Sequence, residues 1–179
     1  MDINLLVKIT QRAWSMNILA LMHEGTAGRQ ATLLAKTGAG RTAFAQSLHH
    51  LIELNLVQRN PGHGHPLRPE YILTELGHYV AERAYKIGKI GHIDSELEDK
   101  ALLRRAWTLP ILAISSEPIH FGGLKNQLQP ITDRALSQSL KQLEACSWMQ
   151  RDVDISQRPA RSIYQAQGVG SQIGQLISA

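Results

Sequence analysis

The chain contains two copies of one sequence pattern, and this internal repeat constrains its fold more than any other feature. Residues 12–21 and 105–114 share six identities in ten positions, at an offset of 93. Further matches follow in the same order: Gln46-Ser47-Leu48 returns as Gln138-Ser139-Leu140, and Tyr71 with Gly77 returns as Tyr164 with Gly170. Repetition at this period predicts two similar supersecondary units in tandem. We therefore expect one domain at residues 1–93 and another at residues 94–179.

The first helix of each copy is predicted from apolar residues at helical spacing. These residues are Trp14, Ile18 and Leu21 in the first copy and Trp107, Ile111 and Ile114 in the second. An indole within such a stripe usually packs in a core, so we interpret both tryptophans as core residues rather than ligand-stacking ones. A short second helix is predicted near residues 29–36 and 121–129, ended by Gly38 in one copy and Pro130 in the other.

A longer third helix is predicted at residues 41–55 of the first copy and 132–147 of the second. Thr42 and Thr132 stand near the helix starts, where a threonine hydroxyl can cap a free backbone N–H. The inner faces are predicted to contain Phe44, Leu48, Leu51 and Ile52 in the first helix and Leu136, Leu140 and Leu143 in the second. Two short strands follow in each copy, and a helix at residues 76–90 closes the first copy. The expected fold class is mainly α with small β-hairpins.

Charge favours a polyanionic partner and the motifs disfavour catalysis. The chain has 19 Lys and Arg against 15 Asp and Glu, which gives a net charge of +4. Residues 1–93 hold ten basic and six acidic groups, and residues 100–179 hold nine and five. Each copy is therefore basic, which is typical of proteins that bind nucleic acid. Because no phosphate loop, nucleophile elbow or zinc-protease helix is present, we expect neither an enzyme nor a cofactor.

The cysteine and histidine content limits redox and metal chemistry. Cys146 is the single cysteine, which excludes an internal disulfide and a zinc site built on several thiolates. We interpret it as a small buried residue rather than a redox sensor. His63 and His65, with His49 and His50 elsewhere in the copy, are too weak a pattern to predict a metal. Because the chain shows neither a signal peptide nor an apolar stretch of membrane-spanning length, we expect a cytoplasmic protein without membrane contact.

Four segments of the first copy carry a family resemblance: residues 12–19, Ser47-Leu48 with Leu51, residues 54–59, and residues 71–77, which end in Leu-Thr-Glu-Leu-Gly. In these segments the copy resembles the HxlR-type family of bacterial winged-helix regulators, relatives of the MarR-type proteins. The second copy keeps the tryptophan helix and Phe121 but lacks the Thr-Glu-Leu-Gly ending. In that family a single domain usually forms a homodimer. The resemblance therefore implies two tandem winged helix-turn-helix domains that form a pseudo-dimer, or a homodimer of such chains, on double-stranded DNA.

The resemblance makes the third helix of each copy a recognition helix and the hairpin loop a wing. The helix candidates for DNA contact are Arg41, Thr42, Gln46, His49 and His50 in the first copy and Thr132, Arg134, Gln138, Lys141 and Gln142 in the second. The wing candidates are Arg59, His63, His65 and Arg68 in the first copy and Arg151, Arg158 and Arg161 in the second. Arginines near the helix starts are expected to contact guanine or phosphate, and glutamines adenine. Asp152 and Asp154 in the second wing repel phosphate, so we expect the first copy to contribute more of the affinity.

Two other function classes stay open at this point. Tandem winged helices also act as protein-interaction adaptors without sequence-specific DNA binding, and each candidate side chain also fits an ordinary solvated helix face. A regulator that responds to a small molecule bound between the halves is the other alternative, although no residue identifies an effector. The sequence leaves the operator, the direction of regulation and the oligomeric state undetermined.

Overall fold

The computed structural model describes residues 1–63, 68–90, 97–156 and 158–179. The chain divides into two compact units, one formed by Ile9–Asp94 and the other by Met1–Lys8 together with Ser95–Ala179. We call them the first and the second unit, after the sequence copy that each contains. The Met1 ammonium donates a hydrogen bond of 2.9 Å to the carbonyl of Ile177 within the second unit. The domain limits drawn from the sequence, 1–93 and 94–179, stay a prediction.

The order of elements follows the predicted succession of helices and a hairpin in both copies. The first copy forms α1 (Ile3–Thr10), α2 (Ser15–His23), α3 (Gln30–Thr37), α4 (Arg41–Glu53), β1 (Val57–His63), β2 (Arg68–Leu73) and α5 (Glu75–Gly88). The second copy forms α6 (Leu97–Leu103), α7 (Thr108–Ile114), β3 (Ile119–His120), α8 (Phe121–Gln127), α9 (Asp133–Ala145), β4 (Met149–Asp154), β5 (Arg161–Ala166) and α10 (Gly168–Ser178). The predicted fold class is thus confirmed. No helix in the described ranges combines the length and apolar character needed to cross a membrane.

The starts of the copies differ from the prediction. An additional helix, α1 or α6, precedes the helix predicted to be first. Trp14 and Trp107 occupy the positions just before α2 and α7 and are half-buried, so the prediction that they lie inside the helical stripe is wrong. Ile18, which was predicted to lie in the core, is fully buried in α2, and so is Leu19, which was not predicted.

The third helix of each unit buries the predicted apolar face. Phe44, Leu48 and Leu51 of α4 are buried, while Ile52 is only half-buried. In α9 the buried residues are Leu136, Leu140 and Leu143. Full burial of a side chain of this size contributes about 1.5–3 kcal/mol to folding. The apolar faces therefore fix the rotation of α4 and α9 about their axes.

One of the two predicted threonine caps is present. The Thr132 hydroxyl accepts a hydrogen bond of 3.2 Å from the Ala135 amide at the start of α9, as predicted. Thr42 does not cap α4, because that helix already begins at Arg41 and Gly40 takes the capping position without a side chain. The prediction for Thr42 is wrong because the chain enters the helix two residues earlier than a threonine cap at position 42 requires.

The wings are antiparallel hairpins with different neighbours. In the first unit, β1 pairs with β2 from Val57 opposite Leu73 onward. In the second unit, β5 lies between β4 and β3 in a three-stranded sheet. At the corresponding place in the described part of the first unit, the Tyr71 amide donates one backbone hydrogen bond of 2.7 Å to the Gly28 carbonyl. The short strand β3 was not predicted, because two residues give no periodic signal.

A close backbone contact explains why a glycine recurs at Gly77 and Gly170. The helix after each wing folds back on the residue that precedes β1 or β4, so that a Cβ on Gly77 would lie 1.9 Å from the Leu56 carbonyl oxygen. A Cβ on Gly170 would lie 2.1 Å from the corresponding oxygen of Trp148. Both distances are far below van der Waals contact, and the obstacle is backbone rather than a flexible side chain. The glycine is therefore a requirement of the fold in each unit.

We expect Gly77→Ala to destabilise the first unit by at least about 2 kcal/mol, since the backbone must shift to admit the methyl group. Gly88→Ala is the matched control in the same helix, because its Cβ meets nothing within 4 Å. Alanine is the better helix former, so the control is expected to gain up to about 1 kcal/mol. Urea unfolding of the full chain, followed by circular dichroism, measures both changes. Equal stability of the two variants would contradict the steric account.

Candidate nucleic-acid interface

The first unit joins α3 to α4 through a tight turn. Gly38 ends α3 with a φ of 67°, in the left-handed region that glycine adopts without strain. The Thr37 hydroxyl donates to the Leu34 carbonyl at 2.9 Å and accepts from the Ala39 amide at 3.4 Å, which holds the turn. The turn sets where α4 begins. Because one face of α4 is buried, the opposite face lies in solvent.

The exposed face of α4 carries most of the first unit's helix candidates. Arg41, Thr42, Gln46 and His49 are exposed, and 74% of the His49 side chain is accessible. The side chain of His50 is only 16% accessible. Glu53 lies within 3.3 Å of His49 Nδ1 and 3.7 Å of His50 Nδ1. The C-terminal part of α4 thus contains a carboxylate beside both histidines, and the part best suited to DNA is the N-terminal half.

The start of α4 carries a cation and no carboxylate. Arg41 is the first residue of the helix, and its first turn contains no acidic residue. A helix N-terminus carries a partial positive charge, so a cation placed there costs about 0.3–1 kcal/mol at an exposed site. An anion brought to this end meets both the arginine and the free backbone N–H groups of the first turn. The arrangement is unfavourable in the free chain and favourable against a phosphate.

The start of α9 is more nearly neutral. Arg134, Gln138 and Lys141 are exposed, Gln142 is half-buried, and the Thr132 hydroxyl already serves as the helix cap. Asp133 stands in the first turn and forms an ion pair of 2.7 Å with Lys125 of α8. The carboxylate offsets the positive end of the helix and partly compensates Arg134. α4 and α9 therefore each bury an apolar face but differ in the charge at their starts.

The described part of the first wing consists of its two paired strands, β1 and β2. Arg59 is exposed on β1, opposite Tyr71 of β2. His63 and Arg68 are paired backbone positions at the end of the hairpin, while their side chains and the whole of His65 lie outside the described part of the chain. The candidate contacts of these three residues stay predictions.

The second wing contains charges of both signs, and some of them already form hydrogen bonds with polar neighbours. Arg151, Arg158 and Arg161 are exposed, and Arg151 donates to the Ser162 hydroxyl from Nε at 3.1 Å and Nη2 at 2.9 Å. Asp152 accepts a hydrogen bond of 2.9 Å from Gln150. Hydrogen bonds from Ser156 hold the pKa of Asp154 below its ordinary value, so this carboxylate is charged at neutral pH. Both acidic groups reduce the attraction of this wing for phosphate.

A residue that links the helix-turn-helix to the wing was not predicted in either copy. Arg29 precedes α3 and donates from Nε to Glu70 of β2 at 3.1 Å. His120 precedes α8, with Nδ1 3.3 Å from the Ser162 carbonyl and Nε2 3.8 Å from Asp154. The offset of 93 conceals their equivalence. The leucines that follow them, Leu33 and Leu124, are both buried and stand 91 residues apart. An alignment of the copies at this offset would have shown that Arg29 and His120 are equivalent.

Each unit has the architecture of a winged helix-turn-helix domain: successive helices joined by a tight turn, an exposed face on the last of them, and a β-hairpin directly after it. A family model described as HxlR-like helix-turn-helix matches the chain twice, at residues 9–98 and 102–179. The chain belongs to the HxlR-like helix-turn-helix family, which is a family of transcription regulators. The two matches agree with the tandem duplication inferred from the sequence. No match was found among curated proteins or solved structures.

Neither a metal centre nor a reactive thiol is indicated by the described residues. Within those ranges, no group of three or more His, Cys, Asp and Glu side chains is placed to hold a metal ion. Cys146 ends α9 half-buried, and its Sγ donates to the Leu143 carbonyl at 3.4 Å. Burial raises the pKa of the Cys146 thiol, so the neutral form persists to higher pH than in an unfolded chain. The geometry suits a structural cysteine better than a sensor.

We expect Cys146 to react with iodoacetamide more slowly in the native chain than in urea at the same pH. The thiolate is the nucleophile, and a raised pKa lowers its concentration. The native rate is also expected to rise with pH over a higher range than the rate in urea. Mass spectrometry of timed samples from pH 7 to 10 measures both rates; a native rate equal to or above the unfolded one would contradict the assignment.

Proposed function

We propose that this chain regulates transcription by binding double-stranded DNA at two unequal half-sites, one for each winged helix unit. α4 and α9 act as recognition helices in the major groove, and the two wings contact the flanking backbone. One chain supplies both DNA-binding units, so it acts as a monomeric pseudo-dimer. The observation that carries the proposal is the start of α4, where Arg41 and the helix N-terminus present positive charge together.

We infer that the first unit contributes more of the DNA-binding free energy than the second. Arg41 has no carboxylate within its own first turn, whereas the first turn of α9 contains Asp133 in an ion pair with Lys125. The second wing adds Asp152 and Asp154. Each carboxylate close to the duplex reduces the gain from counterion release, which provides much of the affinity of protein–DNA complexes. The half-site read by α9 is therefore expected to contribute less binding free energy.

We expect Arg41→Ala to weaken binding to a mixed-sequence duplex of about 30 base pairs by roughly tenfold or more. The plot of log affinity against log salt is expected to become shallower by about one unit, since one phosphate contact is lost. Lys86→Ala is the matched control: it removes the same charge from α5, where Lys86 pairs with Glu82 at 2.6 Å. Fluorescence anisotropy at several salt concentrations measures affinity and slope. Equal losses in the two variants would leave only a net-charge effect and contradict the proposed site.

Arg134→Ala is expected to weaken the same complex by a smaller factor than Arg41→Ala. Asp133 already offsets part of the charge near Arg134, so less attraction is lost with the guanidinium. Comparison of the two variants at one salt concentration tests the inequality of the units. A larger loss for Arg134→Ala would reverse the proposed order of the half-sites.

A protein-interaction adaptor is the second candidate, and the second wing supports it. Val153 and Ile155 are 58% and 84% exposed, next to the carboxylates of Asp152 and Asp154. Exposed apolar residues beside acidic ones suit a protein partner better than a phosphate backbone. The salt experiment separates the two candidates. An adaptor predicts weak duplex binding that Arg41→Ala and Lys86→Ala change equally.

A further inference from the structure

The second unit contains an open cleft of about 730 Å³ beside its wing. The cleft lies between the start of α8, the strand β3 and the start of β5. Its size falls in the range of pockets that hold small ligands, about 300–1,000 Å³. The recognition face of α9 contributes none of the residues that line it. The cleft is therefore distinct from the base-reading surface proposed above.

One side of the cleft is apolar and open down to the backbone. Pro118, Ile119 and Phe121 line this side, and the last two are only half-buried. Gly122 follows, and a Cβ built there would meet nothing within 4 Å. A half-exposed phenyl ring beside vacant space offers a flat surface against which another planar group can pack.

The lining also contains basic side chains. Arg161 and His120 are the ionisable residues among those that line it. Arg161 is exposed and forms no hydrogen bond or ion pair with any residue in the described part of the chain. Asp154 lies nearby but outside the lining, where Ser156 donates a hydrogen bond to it and its other oxygen lies 3.8 Å from His120. Asp154 stands opposite Arg161 across the β4–β5 pair, and the two charges interact. No direct ion pair is formed between them, so an anionic ligand can still approach the guanidinium.

These features are specific to the second unit. When the copies are aligned on the buried Leu33 and Leu124, Arg29 stands at the position of His120, and Gln30 at that of Phe121. Arg29 is already paired with Glu70 at 3.1 Å. The first unit therefore forms this part of the fold without an aromatic ring, whereas the second copy keeps Phe121 as one of the residues in which it resembles the family.

We propose that this cleft binds a small organic anion with a planar apolar body, its acidic group facing Arg161 and its ring against Phe121. Phe121 belongs to the helix-turn-helix and Arg161 to the wing. A ligand in the cleft therefore connects the two DNA-contacting parts of the second unit. The site is an effector site on the free chain, and it requires no bound DNA.

Calorimetric titration of the full chain with 2-naphthoate, without DNA, tests the proposal. We expect one site with a dissociation constant of about 0.1 mM, and about tenfold weaker binding of the neutral analogue 2-naphthalenemethanol. Arg161→Gln is expected to weaken naphthoate binding about tenfold by removing a charge-assisted hydrogen bond. Phe121→Leu, which keeps an apolar side chain, is expected to weaken both compounds. Arg158→Gln is the matched control: it removes an exposed arginine from the same wing without touching the cleft.

Three results would overturn the proposal. They are no heat of binding with naphthoate at about 1 mM, equal affinity in the parent chain and in Arg161→Gln, and equal losses in Arg161→Gln and Arg158→Gln. Duplex binding provides a separate measurement. If Arg161→Gln weakens the duplex complex while naphthoate does not bind, Arg161 contacts the DNA backbone, which supports the proposed regulator and refutes the effector site.

Discussion

The burial of one apolar face of the third predicted helix, α4 in the first unit and α9 in the second, is the interaction on which the rest of each unit depends. Phe44, Leu48 and Leu51 recur at helical spacing and are removed from water together. Because side chains on a helix are fixed relative to one another, the burial of this face also determines which residues face solvent. Arg41, Gln46 and His49 are exposed for that reason. Loss of a large side chain from the buried face would therefore disturb the candidate site and the fold together.

The two copies have kept their backbone contacts and changed their surfaces. The contact of Gly77 with the Leu56 carbonyl and that of Gly170 with the Trp148 carbonyl are equivalent. A side-chain movement cannot relieve a clash with backbone. Any residue larger than glycine at either position would therefore destabilise its unit. Surface positions carry no such restriction. The residue before the short helix is an arginine paired with a carboxylate in the first unit and a histidine, His120, in the second.

The sequence predicted those parts of the fold that periodicity determines. The inner faces of α4 and α9 were predicted correctly because three buried residues at helical spacing identify a face. The helix α10 was not predicted, since Gly168, Gly170 and Gly174 disfavour helix locally. Burial of Ile173 and Ile177 outweighs this preference, and that packing is tertiary. Thr132 and Thr42 gave the same local signal, and only the backbone at Gly40 distinguishes them.

The residues of the candidate sites could be predicted from the sequence to different degrees. The exposed positions of α4 follow from the same periodicity as the core. The half-burial of Gln142 and the low exposure of His50 required the packed structure. The cleft beside Phe121 could not be predicted, because residues far apart in sequence, such as Gly122 and Arg161, meet there only after the wing has folded.

Selection of bound sequences from a random duplex pool tests most directly the claim that two unequal units read DNA. The account predicts an enriched site with two different half-sites, of which Arg41→Ala abolishes the more strongly enriched one. A perfect palindrome whose halves are equally affected by Arg41→Ala, or a pool without enriched sequence, would contradict it.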